Sequence, residues 1–116
     1  MHEDYPSREE ERGLIKRFEE QLKNNSFNFF DISEYETIIQ HYIDHFNFAK
    51  GLKAGKLALE QYPFGTDISI LVAQCYIGKE EYPKALKVID RAQEMNPTDT
   101  DLITIKGNIY SIIGQY

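Results

Sequence analysis

Apolar residues recur along this chain at intervals of three and four, the spacing of a helix with one buried face, in about six stretches separated by short punctuated breaks. In the first, Leu14, Ile15, Phe18 and Leu22 make one stripe, while Glu9, Arg12, Lys16, Glu19, Glu20 and Lys23 fill the solvated side. Ser7 and Glu10 form a capping-box pair, each side chain satisfying a backbone N–H that the first turn leaves free, so this helix is expected to begin near Arg8. Asn24 and Asn25 end it, because asparagine tolerates the left-handed conformation of a helix terminus. A connector follows whose aromatics Phe27, Phe29 and Phe30 are too apolar for a flexible linker and are expected to pack.

Asp31 and Glu34 repeat the capping signature, with Phe30 placed to staple onto Tyr35, and the next helix is expected over about Ile32 to His45. Its inner face is Tyr35, Ile38, Ile39, Tyr42 and Phe46. A partner helix runs from about Phe48 to Tyr62, burying Leu52, Gly55 and Leu59, and Pro63 stops it. Gly51 and Gly55 cost about 1 kcal/mol each in a helix relative to alanine, which implies a neighbouring backbone too close for a side chain. The plan then recurs: Asp67 to Ile77 ended by Gly78, Pro83 to Met95 closed by Asn96-Pro97, and Asp99 to Ile113 ended by Gly114.

The stretches also share a period. Tyr42, Tyr76 and Tyr110 are 34 residues apart, as are Pro63 and Pro97, Gly51 and Ala85, Ala58 and Ala92, and Phe48, Tyr82 and Tyr116. Repetition in many columns at once implies stacked helical hairpins, each burying its apolar face on the next. The chain divides accordingly into residues 1–31, a helix and aromatic connector; 32–65, a first repeat; 66–99, a second; and 100–116, the first helix of an incomplete third.

Composition narrows the function classes. With 116 residues the chain makes one small domain. A net charge of −6, with basic residues interspersed among acidic ones, disfavours a surface that tracks phosphates, so nucleic acid is not an expected partner. No apolar run reaches the ~20 residues of a membrane span and the first residues lack an apolar signal stretch, so a cytoplasmic protein with no membrane partner is expected. Cys75 is the only cysteine, which excludes an internal disulfide and fits a reducing compartment. It falls among residues facing a neighbouring helix and is expected to be an inert, buried thiol. Nothing in the chain combines into a phosphate loop, a pair of catalytic carboxylates or a nucleophile with its base, so no enzyme activity and no cofactor are expected. His41 and His45 are four apart on a helix without a third ligand on their face, and read as a solvated or packing pair. Lys50, Lys53 and Lys56, with Lys84 and Lys87 near-equivalent, read as a solvated outer face.

The segment from Thr66 to Pro97, through Ala73, Tyr76, Gly78, Tyr82, Ala85, Ala92 and Asn96-Pro97, resembles a tetratricopeptide repeat. Thr98 to Tyr116 resembles the first half of another, and Ile32 to Pro63 a more divergent one with Ile39, Gly51 and Gly55 at departing positions. The run from Lys23 to Asp31 also resembles the N-terminal region of uncharacterised repeat proteins of Bacteroidetes bacteria. The resemblance implies an all-α, right-handed superhelical stack of antiparallel hairpins whose first helices line a concave groove for a peptide or helix of another protein.

Projected onto that arrangement, Gln40, Gln74 and Asn108 form a column at 34-residue intervals, and each carboxamide both donates and accepts, as holding a peptide backbone requires. Ser33, Glu36, Asp44, Asp67 and Asp101 make the groove acidic, and Ile43, Ile70, Ile77 and Thr104 add apolar patches, which suits a basic partner with aliphatic anchors. Asp67 and Asp101 are equally accounted for by first-turn positions, where a carboxylate meets the helix dipole. Family members that hold a chaperone's C-terminal carboxylate use Lys, Arg and Asn where this chain has Glu36, Leu71, Asp101 and Ile105, so that clamp is missing. The expected function is a non-catalytic interaction scaffold; the alternative is an N-terminal cap or regulatory portion of a longer repeat protein. Without a covering helix, the last helix is expected to expose part of a strip of Ile105, Ile109, Ile112 and Ile113, met either by continuation of the chain or by a second copy in a homodimer.

Overall fold

Where a capping side chain is available, the helix starts on it. The computed structural model describes residues 6–26 and 28–114. In it Ser7 Oγ accepts from the Glu10 amide at 3.1 Å while the Ser7 amide donates to Glu10 Oε1 at 2.7 Å, opening α1 (Arg8–Asn24). Asn25 closes α1 in the left-handed region at φ 52°. The same reciprocal pair between Asp31 and Glu34 opens α2 (Ile32–Asp44). Then come α3 (Phe48–Gln61), α4 (Thr66–Gly78), α5 (Tyr82–Met95) and α6 (Thr100–Ile113), the last capped by Asp99 Oδ1 on the amides of Asp101 and Leu102. All regular structure among the described residues is helical.

The period is visible in the backbone. Phe46 and Glu80, 34 apart, turn through φ 59° and 60°, and the next amide in each turn, Asn47 and Glu81, donates at 2.8 Å to the carbonyl of Tyr42 and Tyr76. At the other end of the hairpin, Tyr62 and Asn96 leave their helices at nearly equal angles, φ −131° and −138° with ψ 69° and 67°. Two successive hairpins, α2 with α3 and α4 with α5, are thus built alike and stacked, α4 lying against α2 and α3, and α6 against α4 and α5.

One core cluster joins Phe18 of α1, Phe30 of the connector, Tyr35, Ile38, Ile39 and Tyr42 of α2, Leu52, Ala54 and Ala58 of α3, and Ile68, Val72 and Cys75 of α4. A second joins Ala73, Ala85, Ile89 and Ala92 to Leu102, Ile105 and Ile109 of α6, and Tyr76 packs against both. The expected staple is present, with Phe30 and Tyr35 edge-to-face at 5.4 Å. The glycines of α3 mark close approach: a Cβ on Gly51 would lie 2.7 Å from Cys75 Sγ, and one on Gly55 would strike Cγ2 of Val72.

Some expectations are corrected. Phe46 is not on the inner face: α2 ends at Asp44, the left-handed turn swings the ring outward, and it is 80% exposed. In the connector Phe30 is buried but Phe29 points to solvent, while Phe27 lies outside the described residues, as do Met1–Tyr5 and the register match at Tyr116. Lys50 is not part of a free outer face, since it pairs with Glu19 of α1 at 3.2 Å. Ile105 and Ile109 are buried, because α6 turns them onto α5 and α4. Of the expected strip Ile113 is exposed and Ile112 half-buried, and Ile103 and Tyr110 are exposed besides.

Candidate functional site

The first described residues matter because of where they put α1. Leu14 and Phe18 seat it on α2, Arg17 lies 4.7 Å over the Phe30 ring, and Glu19 accepts from Tyr42 Oη at 2.8 Å as well as pairing with Lys50. Those hydrogen bonds, Tyr42 first and then Lys50, hold the Glu19 carboxyl below its ordinary value. So fixed, α1 becomes one wall of a groove whose other wall and floor are α2 and α4.

This groove encloses about 500 Å³. Glu36, Gln40 and Asp44 line it from α2, Asp67, Ile70 and Leu71 from α4, and Glu11 from α1. The lining thus combines the carboxylates of Glu11, Glu36, Asp44 and Asp67 with the aliphatic side chains of Ile70 and Leu71. Burial, and then the charge of Asp67, push the Glu36 carboxyl above its ordinary value. A cation entering here would offset both costs, which is the physical basis of complementarity at such a site. Gln40 is partly engaged, its Nε2 donating to Asp44 Oδ1 at 2.9 Å.

The predicted residues divide. Glu36, Gln40, Asp67 and Ile70, with Ser33 and Asp44, come together in this groove. Gln74, Asp101, Thr104 and Asn108 are exposed farther along the stack and do not line it. Ile43 and Ile77 are half-buried and spend their apolar surface on the two core clusters. Sequence reasoning missed Glu11 and read His41 only as part of a solvated or packing pair, although Glu11 falls one turn before Leu14 and Ile15, and a carboxylate at the margin of an apolar stripe is a signal that can be read.

His41 Nδ1 lies 2.8 Å from Glu11 Oε2, and its ring stacks on His45 at 4.2 Å. The pair therefore ties α1 to α2 and forms one edge of the groove. Among the described residues there is no group of three or more His, Cys, Asp or Glu side chains arranged to hold a metal ion. Cys75 is fully buried and its thiol is pushed up to about 11 by desolvation, which removes the thiolate that nucleophilic chemistry needs. No family model, curated protein or solved structure matches this chain. No helix among the described residues is long and apolar enough to cross a membrane.

Proposed function

We propose that this chain is a non-catalytic interaction scaffold of the cytoplasm, a right-handed stack of tetratricopeptide-like hairpins that holds a basic segment with aliphatic anchors in the α1–α2–α4 groove. The observation that carries this reading is a groove lined together by Glu36, Asp67, Ile70 and Leu71, in which the charge of Asp67 acts on the Glu36 carboxyl. The carboxylates select a cation and steer its approach, and the aliphatic side chains supply the contact that holds it. Binding proceeds by shape and charge, with no bond made or broken. A second reading, in which the chain is the capping or regulatory portion of a longer repeat protein, is favoured by the open apolar face of α6.

Calorimetric titration separates the elements of the proposal. A peptide alternating lysine with leucine is expected to bind, and to weaken by about tenfold as salt rises to a level where surface charges are screened. An acidic peptide of the same length is expected not to bind. Glu36→Gln with Asp67→Asn should abolish binding while the fold is kept, and equal binding of both peptides would refute the groove. Gln74→Ala with Asn108→Ala tests how far the ligand extends along the stack: weaker binding at an unchanged Tm places it across all three first helices, and unchanged affinity confines it to the groove.

A further inference from the structure

A cavity of about 170 Å³ shares no residue with the groove. Leu59 of α3, Ser69 of α4, and Lys87, Val88, Arg91 and Met95 of α5 line it. Ser69 is only 6% exposed, and its hydroxyl makes no hydrogen bond among the described residues. A buried hydroxyl left without a partner costs stability, and the cavity it lines is where a partner can reach it. Lys87 and Arg91, one turn apart on α5, are exposed and make no ion pair among the described residues, whereas Lys50 and Lys106 each hold a carboxylate.

The 34-residue register shows how the space arises. Ser69 stands where the preceding hairpin has Tyr35, and Arg91 where it has Leu57. Tyr35 is fully buried, its ring edge-on to Phe30 at 5.4 Å and to Tyr62 at 6.3 Å, and Leu57 packs on the same core cluster. At the equivalent junction one hairpin later, a hydroxyl replaces the ring and a guanidinium replaces the aliphatic group. Apolar filling has been exchanged for polar groups around a space.

We propose that the α3–α4–α5 cavity is a binding site for a small aliphatic carboxylate. The carboxylate answers both unpaired cations through charge-assisted hydrogen bonds, for which the planar fork of Arg91 suits its two oxygens, and the Ser69 hydroxyl supplies a further donor. A short branched body lies against Leu59, Val88 and Met95, and the flexible thioether of Met95 adapts to its shape. Volume sets the size: a cavity of about 150 Å³ admits benzene, so roughly six to eight non-hydrogen atoms fit. The groove, lined by Glu11, Glu36, Asp44 and Asp67, repels the same ligand, so charge separates the two sites and neither depends on the other.

Isocaproate is a probe of that size and chemistry. Titrated into nitrogen-labelled protein, it is expected to shift the amide resonances of Ser69, Val88 and Ala92 saturably, with a Kd of about 1 mM. Isocaproamide, which has the same shape without the charge, should bind about tenfold or more weakly. Lys87→Gln with Arg91→Gln should weaken isocaproate by a similar factor, and because both side chains are exposed the far-UV circular dichroism should be unchanged. Ser69→Tyr, which supplies the ring that the first hairpin carries at this place, should abolish the shifts; should that variant not fold, the glutamine pair decides alone. No saturable shift up to about 20 mM would overturn the proposal. So would equal binding of the amide, undiminished binding by the glutamine pair, or shifts at Glu36, Gln40 and Asp67 in place of Ser69.

Discussion

Helices α2 and α6 present the same column of residues and meet opposite fates. Tyr42 is 3% exposed and Tyr110 55%, although both are tyrosines at the same point of the repeat. What differs is the layer above: α1 and α3 lie against α2, whereas nothing among the described residues lies against the corresponding face of α6. Residue type sets the capacity to be buried, and the neighbouring element decides whether that capacity is used. The 34-residue beat thus marks a face made for helix packing, filled twice and open once among the described residues.

The largest test of this comparison is an alanine series down the column. Tyr42→Ala should destabilise by about 3 kcal/mol or more, through lost burial and the cavity left in the first core. Tyr76→Ala, half-buried between two clusters, should lose less, and Tyr110→Ala about 0.5 kcal/mol or less. Urea unfolding at low micromolar protein would measure all three. Equal losses would break the comparison.

The glycines sharpen it with effects of opposite sign. Gly55→Ala gains helix propensity but drives a methyl into Val72, and should destabilise by about 1–3 kcal/mol net. Gly107→Ala meets open space and should stabilise by about 0.5–1 kcal/mol. Thermal unfolding of the two variants, again at low concentration, is sufficient to tell them apart.

A smaller, pH-dependent effect belongs to Cys75. Its thiol is raised from 9.0 to about 11 by burial, so the folded state favours the neutral form. The stability this contributes is present below the ordinary thiol value and is lost as pH rises through the folded one, because the unfolded chain ionises first. The stability difference between the wild type and Cys75→Ala should therefore shrink between pH 8 and pH 11, and a difference that is constant or grows would show the thiol to be accessible.

Much of the fold was legible because its signals are local. Ser7 with Glu10 and Asp31 with Glu34 start helices wherever they occur before an apolar stripe, and Gly51 and Gly55 announced a close helix crossing correctly. The turn at Phe46 was not legible: an aromatic after an apolar stripe reads as more stripe, and only the hydrogen bond from Asn47 to Tyr42 shows that the chain has already reversed. The site was legible in half. Projection onto the stack that the resemblance implies grouped Glu36, Gln40, Asp67 and Ile70, which line one groove, but it is silent about α1, which lies outside the repeat. Glu11 reaches the groove through tertiary packing of Leu14 and Phe18. The strip on α6 divides, with Ile113 exposed, Ile112 half-buried and Ile105 and Ile109 buried, because several isoleucines on one helix leave two apolar faces and which one turns inward depends on where α5 lies.

Solvent paramagnetic relaxation of the three tyrosine rings at low concentration tests most directly whether one repeated face is covered twice and open once. The account predicts strong relaxation at Tyr110, intermediate at Tyr76 and almost none at Tyr42. Equal relaxation of the three, or a Tyr42 ring as accessible as Tyr110, would contradict it.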